Sequence, residues 1–395
     1  MMLFNKPRAQ RLMAEHGIAA LVATAAENVT YATGYWSMTQ WTRPGPQAYA
    51  VIPADDSLSP CIITSTGALD LLADEGDAWV TDAYRYGFFV TLTEGATSEL
   101  DRRYARLLAG PDHGDAVKAL VAALRDRKLD RLRLAVDENG ILPANLERLR
   151  SELPNAEIVA GARVFRQIRT IKTPDEISRL RGAVHATERS IEAALAVARP
   201  GVSEMDMQRE FHKATIENGG FPVAICIGTG PRSALSNCQA TDRKLQKGDI
   251  IRFDGGGRFK HYRCDISRMG SLGEPPEKVR RYYEALRKGM EAGIAQMRAG
   301  VKTADVFDET MATVRREGIP HYERNHVGHG IGINNYDAPD LKPESTEVLE
   351  EGMVMCVETP YYELGFAGLQ VENTVVVRTH VTESLMSLGT ELRIV

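Results

Sequence analysis

Two kinds of hydrophobic pattern alternate over the first half of the chain. Apolar residues recur at helical spacing from Arg8 to His16 and from Asp115 to Arg127, while short β-rich apolar runs cover Ala19 to Ala23, Tyr49 to Ile52 and Arg133 to Val136. Helices alternating with strands predict an α/β layer domain. The stretch from Arg163 to Lys172 reads as a crossing into a second domain. Thr173, Pro174 and Glu176 then open a long helix as N-cap, first-turn proline and capping-box acid, with Ile177, Leu180, Val184, Ile191 and Leu195 as its buried stripe. The expected organisation is an α/β domain over residues 1–168 and a second domain over residues 169–395.

The second half carries an internal repeat. Arg199, Gly201, Val202, Asp206 and Gly219 recur as Arg298, Gly300, Val301, Asp305 and Gly318 at one constant offset. Each copy reads as a long helix, a glycine turn, a second helix stopped by glycine, and then strands. The strands run over Ile250 to Asp254 in the first copy, and over Val354 to Glu358 with Gln370 to Val377 in the second. An α+β domain with two similar halves facing each other follows.

Composition narrows the range of functions. A length of 395 residues suits two domains with full cores. Five scattered cysteines (Cys61, Cys226, Cys238, Cys264, Cys356) form no CxxC pair, which argues against a disulfide framework or a thiolate zinc site and points to a reducing compartment. The N-terminus has neither a long apolar run nor a small-residue cleavage site, so a cytoplasmic protein is expected. A formal charge of −5 with mixed signs leaves no basic footprint for nucleic acid or an anionic membrane. Small molecules or short peptides are the expected partners.

Candidate chemistry concentrates in five residues. Asp254 ends an apolar strand, meets three glycines that allow a tight turn, and is followed after ten residues by Asp265, so two carboxylates flank a hairpin. His329 lies between glycines in Gly-His-Gly-Ile-Gly, which leaves its imidazole beside open space. Glu358 and Glu372 sit in β-branched apolar segments where an unpaired carboxylate is costly. Neither segment has an adjacent basic residue, and a metal is the more economical partner for four acids and one histidine.

The order Asp, Asp-Ile-Ser-Arg, Gly-His-Gly-Ile-Gly, Glu-x-Pro and Glu-Asn resembles the pita-bread metallohydrolases: methionine aminopeptidases, proline-specific peptidases and creatinase. The segments Asn28 to Tyr35 and Ile171 to Leu180 resemble the creatinase and prolidase entry segments, so the resemblance spans nearly the whole chain. It implies a creatinase-like N-terminal domain, a pita-bread catalytic domain and a homodimer. It also implies two divalent ions (manganese, cobalt, iron or zinc), with Asp254 on one, Asp265 and Glu372 bridging both, and His329 with Glu358 on the other. A metal-bridging hydroxide is then the expected nucleophile, with Glu358 shuttling the proton.

Three departures from that family stand out. Asn237, Asn325 and Tyr336 occupy positions where the family's peptidases carry auxiliary histidines, and His326 is one residue out of register. Neutral amides and a phenol keep hydrogen bonding but remove titratable partners. The expected function is therefore hydrolysis of a carbon–nitrogen bond in a small non-peptide substrate, such as a cyclic amidine, a guanidino compound or a sulfonium. Alternatives are an Xaa-Pro dipeptidase or aminopeptidase, a metal-dependent lyase resembling dimethylsulfoniopropionate lyase with Tyr336 or Asp337 taking a proton, and a catalytically inactive binding module. Candidate catalytic residues are Glu358, His326, Tyr336 and Asp337. Trp36, Trp41, Arg43, Asn237 and Asn325 are candidate substrate contacts, the first three on an aromatic N-terminal segment.

Overall fold

Strands β1 (Ala20–Ala23), β2 (Tyr49–Pro53) and β5 (Arg133–Val136) form where the apolar runs predict them. The computed structural model describes residues 2–41, 45–74 and 76–395. The chain divides into two units, Met1–Arg169 and Thr170–Val395. In the first unit β3 (Cys61–Ser65), β4 (Ala83–Tyr86) and β6 (Glu157–Ala160) complete a six-stranded sheet in the order β4-β3-β2-β1-β5-β6. β1 pairs antiparallel with β2 and parallel with β5, so the sheet is mixed. Every residue of β1 and β2 is buried, as in strands covered on both faces. The helix Ala116–Asp126 packs Val117, Leu120 and Leu124 into one cluster with Val22, Val51 and Ile63. The expected crossing is itself helical over Ala162–Arg169.

The second unit begins with the capped helix Pro174–Ala196. Thr173 Oγ1 accepts from Glu176 N at 3.3 Å, and Glu176 Oε2 accepts from Thr173 N at 2.8 Å. The five predicted stripe residues are all buried. Thr173→Ala is expected to cost about 1 kcal/mol, read as a lower urea midpoint at unchanged slope.

A ten-stranded sheet follows, built on β7 (Phe221–Thr229), β8 (Ile250–Phe259), β10 (Ile266–Ser271), β11 (Gly328–Gly330), β12 (Asp337–Asp340), β13 (Val354–Glu358) and β16 (Glu372–Val376). Its main path is β12-β11-β13-β16-β10-β8-β7. The short strands β9 (Tyr262–Arg263), β17 (Glu383–Ser384) and β18 (Arg393–Ile394) flank that path, and β14 (Tyr361–Glu363) pairs with β15 (Ala367–Leu369).

The repeat is visible in hydrogen bonds as well as in element order. The helices Pro174–Ala196 and Glu204–Glu217 correspond to Glu277–Gln296 and Thr303–Glu317. Gly201 N donates to Leu245 O at 3.0 Å, and Leu245 N returns a bond to Val202 O at 2.8 Å. In the second copy Gly300 N donates to Leu349 O and Leu349 N to Val301 O, both at 2.8 Å. Gly201 and Gly300 both sit at left-handed φ, 89° and 93°.

Candidate metal centre

Strand periodicity brings the five predicted ligands to one face. Glu358 on β13 lies directly opposite Glu372 on β16, and Ser267 on β10 lies opposite both Glu372 and Asp254 on β8. Asp265 is two residues from Ser267 and so shares its face, and His329 on β11 lies opposite Cys356, two residues from Glu358. Five adjacent strands, β11, β13, β16, β10 and β8, thus supply one group each, with Asp265 immediately preceding β10.

The glycines have a different role from the one expected. Gly255, Gly256 and Gly257 lie inside β8, and the hairpin turns at Lys260 and His261, whose φ values are 45° and 73°. A Cβ on Gly256 would stand 2.7 Å from Cys264 O and 2.9 Å from Thr187 Oγ1, so Gly256 admits the helix Pro174–Ala196 against the strand. Those flanking His329 do not open space either. A Cβ at Gly328 would lie 2.1 Å from Cys356 O, and one at Gly330 2.3 Å from Ala338 O. Close packing of β11 between β12 and β13 is what requires them.

Ligand atoms of Asp254, Asp265 and Glu372 lie within 4.8 Å of one another, as do those of His329, Cys356 and Glu372. Asp265, Glu358 and Glu372 are buried and Asp254 is partly so. Burial, and for Asp254, Glu358 and Glu372 the neighbouring acids, push all four carboxyls above the usual carboxylate range. Glu372 Oε1 is buried without a hydrogen-bond partner, an acceptor in want of a cation.

The histidine fits the same purpose. His329 Nδ1 lies 2.9 Å from Gly330 O, which only accepts, so Nδ1 carries the proton and the Nε2 lone pair is free. Nε2 stands 3.8 Å from Asp265 Oδ2. Burial lowers the pKa of His329, keeping it neutral and able to ligate. Oxygen-rich donors with one neutral imidazole fit divalent cations. Cys356 adjoins the set, but burial raises its thiol well above the ordinary range, and it donates to Asp265 O at 3.4 Å.

The other predicted residues divide. His326 Nδ1 lies 3.3 Å from Glu358 Oε1, and the Tyr336 ring stacks on His329 with centroids 4.0 Å apart. Asp337 is buried at the start of β12, opposite Gly330. Asn237 and Asn325 are exposed. Trp36 and Trp41 belong to the first unit, where Trp41 Nε1 donates to Thr30 Oγ1 at 3.3 Å; Arg43 lies outside the described residues.

Four residues escaped the sequence reading. Arg252 Nη1 donates to Asp254 Oδ2 at 2.9 Å, and Asn335 Nδ2 to Asp265 Oδ2 at 2.7 Å. Gln370 Nε2 approaches Glu358 Oε2 at 3.4 Å. The Arg324 charge holds Glu358 down against its burial, and Arg324 Nε is itself buried without a hydrogen-bond partner. Arg252 and Gln370 precede Asp254 and Glu372 by two residues, so period-2 spacing was a signal for both. Asn335 and Arg324 come from loops and carried none.

Comparison with known proteins agrees with this geometry. Residues 178–379 match the model of metallopeptidase family M24, and residues 7–171 match the creatinase/prolidase N-terminal domain. An Xaa-Pro dipeptidase of Lactobacillus helveticus is 26% identical over 72% of this chain and 78% of its own length. One from Pyrococcus furiosus is 27% identical over 58% and 66%. Among solved structures, an Xaa-Pro dipeptidase from Bacillus anthracis superposes with a TM-score of 0.81 at 22% identity, covering 99% of both chains. A prolidase from Thermococcus sibiricus superposes at 0.80 and 18% identity, covering 100% of both. The second unit has the pita-bread fold with its pseudo-twofold repeat. The chain belongs to metallopeptidase family M24, with a creatinase/prolidase N-terminal domain, and is a metal-dependent hydrolase of carbon–nitrogen bonds.

Proposed function

We propose that the chain hydrolyses Xaa-Pro dipeptides with two divalent cations held by Asp254, Asp265, His329, Glu358 and Glu372. The relatives lend no support to the non-peptide substrate expected from the sequence and favour the peptidase alternative. The observation that carries the proposal is the charge around the centre. Four carboxylates match two divalent cations in charge, and beside them Arg324 places a guanidinium whose charge acts on Glu358 and whose Nε is buried without a hydrogen-bond partner. A guanidinium donor without a partner beside the centre favours a substrate with a free carboxylate, as a dipeptide has, over guanidino or sulfonium compounds.

Bound by these five residues, divalent cations would supply the Lewis acidity for activating water and polarising the scissile carbonyl. Glu358, 3.3 Å from His326, is placed to take the proton of the attacking water and return it to the leaving proline nitrogen as the C–N bond breaks. His326 stands beside Glu358 and places an imidazole where Asn325 offers none. Tyr336, stacked on His329 and 60% exposed, has its hydroxyl available to the substrate carbonyl.

With manganese- or cobalt-loaded protein, kcat/KM on Xaa-Pro dipeptides is expected at about 10⁴ M⁻¹s⁻¹ or above, with little turnover of guanidino and sulfonium compounds. Turnover confined to the cationic panel would overturn the proposal.

A further inference from the structure

Arg258 and Arg263 stand directly opposite each other where β8 pairs with β9. Like charges in a cross-strand pair repel, and burial together with the Arg263 charge pulls the Arg258 guanidinium below its ordinary value. Among the described residues neither guanidinium has a carboxylate or a hydrogen-bond partner; what Arg258 has is the Phe221 ring, 4.4 Å away. Both arginines face the side of the sheet that carries the candidate centre, because their neighbours turn the other way. The Phe259 ring stands against Gly182 and Gly219, and the Tyr262 hydroxyl donates to Glu176 Oε1 at 3.0 Å, both on the helix side. The Cys264 thiol meets Thr187 on that same side. Alternation therefore puts Arg258, Arg263 and Asp265 on one face. Arg263 precedes Asp265 by two residues, about 7 Å along a strand. Its N–H donates to Gly332 O at 2.9 Å, beside the loop that brings Asn335 to Asp265 and Tyr336 onto His329.

We propose that Arg258 and Arg263 form an anion subsite for the side chain of the substrate's first residue, so that the preferred dipeptides are Asp-Pro and Glu-Pro. Folding alone gives no reason for the pair, since a neutral residue at either position would relieve repulsion and break no bond. A carboxylate placed between the two guanidiniums removes the repulsion and finds planar, bidentate donors. Phe221, opposite Arg258 on β7 and 58% exposed, gives the methylenes of such a side chain an apolar surface. The subsite is separate from Arg324. That guanidinium acts on Glu358 of β13, whereas Arg258 belongs to β8, and β16 and β10 lie between those strands. Arg324 suits the terminal carboxylate that every dipeptide carries; the arginine pair suits a second one at the other end of the substrate. The inference rests on the dipeptidase reading proposed above.

Steady-state kinetics of the manganese-loaded protein on Glu-Pro, its neutral isostere Gln-Pro, and Lys-Pro test it. Glu-Pro is expected to exceed Gln-Pro in kcat/KM by about tenfold or more, the contribution of one charge-assisted hydrogen bond, with the difference lying mainly in KM. Arg263→Gln should make Glu-Pro and Gln-Pro equal, and Arg263→Glu should place Lys-Pro above Glu-Pro. Both variants should melt no lower than the parent, which residues held for the fold would not allow. Equal kcat/KM on Glu-Pro and Gln-Pro in the unmodified protein overturns the inference, and so does a preference that survives Arg263→Gln. Should Arg263→Gln fail to fold by circular dichroism, Arg258→Gln decides by the same comparison. Calorimetry with Glu-Pro and Gln-Pro analogues, in which CH2 replaces the carbonyl, reads the subsite without turnover. If no Xaa-Pro dipeptide is hydrolysed, the dipeptidase reading fails by itself. The calorimetric difference then decides the subsite, and equal affinities for the two analogues overturn it.

Discussion

Asp265→Ala or Glu372→Ala is expected to leave the protein without tightly bound cations and to lower kcat/KM by about three orders of magnitude or more. The ligand atoms of these two acids lie within 4.8 Å of each other and of Asp254, so a cation reaching either strand group meets both. Removing one shared carboxylate leaves two divalent ions repelling at short range with one anion fewer between them. Loss of both ions, rather than of one, distinguishes these positions from Asp254. Folding is not expected to suffer in the metal-free state, because burial and neighbouring acids already make ionisation of this cluster unfavourable. A metal-free variant should melt at or above the temperature of the metal-free parent. Metal analysis after gel filtration provides the measurement; two retained ions per chain in either variant would show that neither acid is shared.

Metal removal should also make stability fall steeply with pH. Asp254, Asp265, Glu358 and Glu372 all have carboxyls raised in the folded state, so between the unfolded and folded pKa values the native chain binds more protons than the unfolded one. Stability from these groups is fully present below the ordinary carboxylate range and is lost as pH rises through their folded values, from about 6 for Asp254 and Asp265 to about 8 for Glu358. Each tenfold displacement of a proton equilibrium is worth about 1.4 kcal/mol, so four buried groups together reach several kcal/mol, a large share of the ~5–15 kcal/mol that stabilises a typical domain. Cations bind the ionised form and reverse the trend. The melting temperature of chelator-treated protein should drop between pH 5 and pH 8, and added manganese should raise it more at pH 8 than at pH 5. An equal manganese effect at both values would mean that the acids are not what the metal compensates.

Local pattern alone determined a large part of this molecule. The capped helix at Thr173, the strands Arg133–Val136 and Val354–Glu358, and the repeat at Gly201 and Gly300 were legible because caps, β-branched runs and left-handed glycines act over a few residues. Glu358 and Glu372 were legible for a related reason: a carboxylate inside an apolar strand conflicts with its surroundings and advertises a partner. Only the tertiary structure decided which strands stand side by side. The order β11-β13-β16-β10-β8 joins residues up to 118 positions apart, such as Arg252 and Gln370, and sheet order depends on packing between distant elements. For that reason the glycines beside His329 were mistaken for an opening, when the carbonyls of Cys356 and Ala338 fill the space. The guanidiniums beside the candidate centre were hidden likewise, since Arg324 and Arg252 are ordinary in sequence and come near it only once Glu358 and Asp254 fold beside them. Electrostatic preference for a substrate depends on distances through space that no spacing along the chain records.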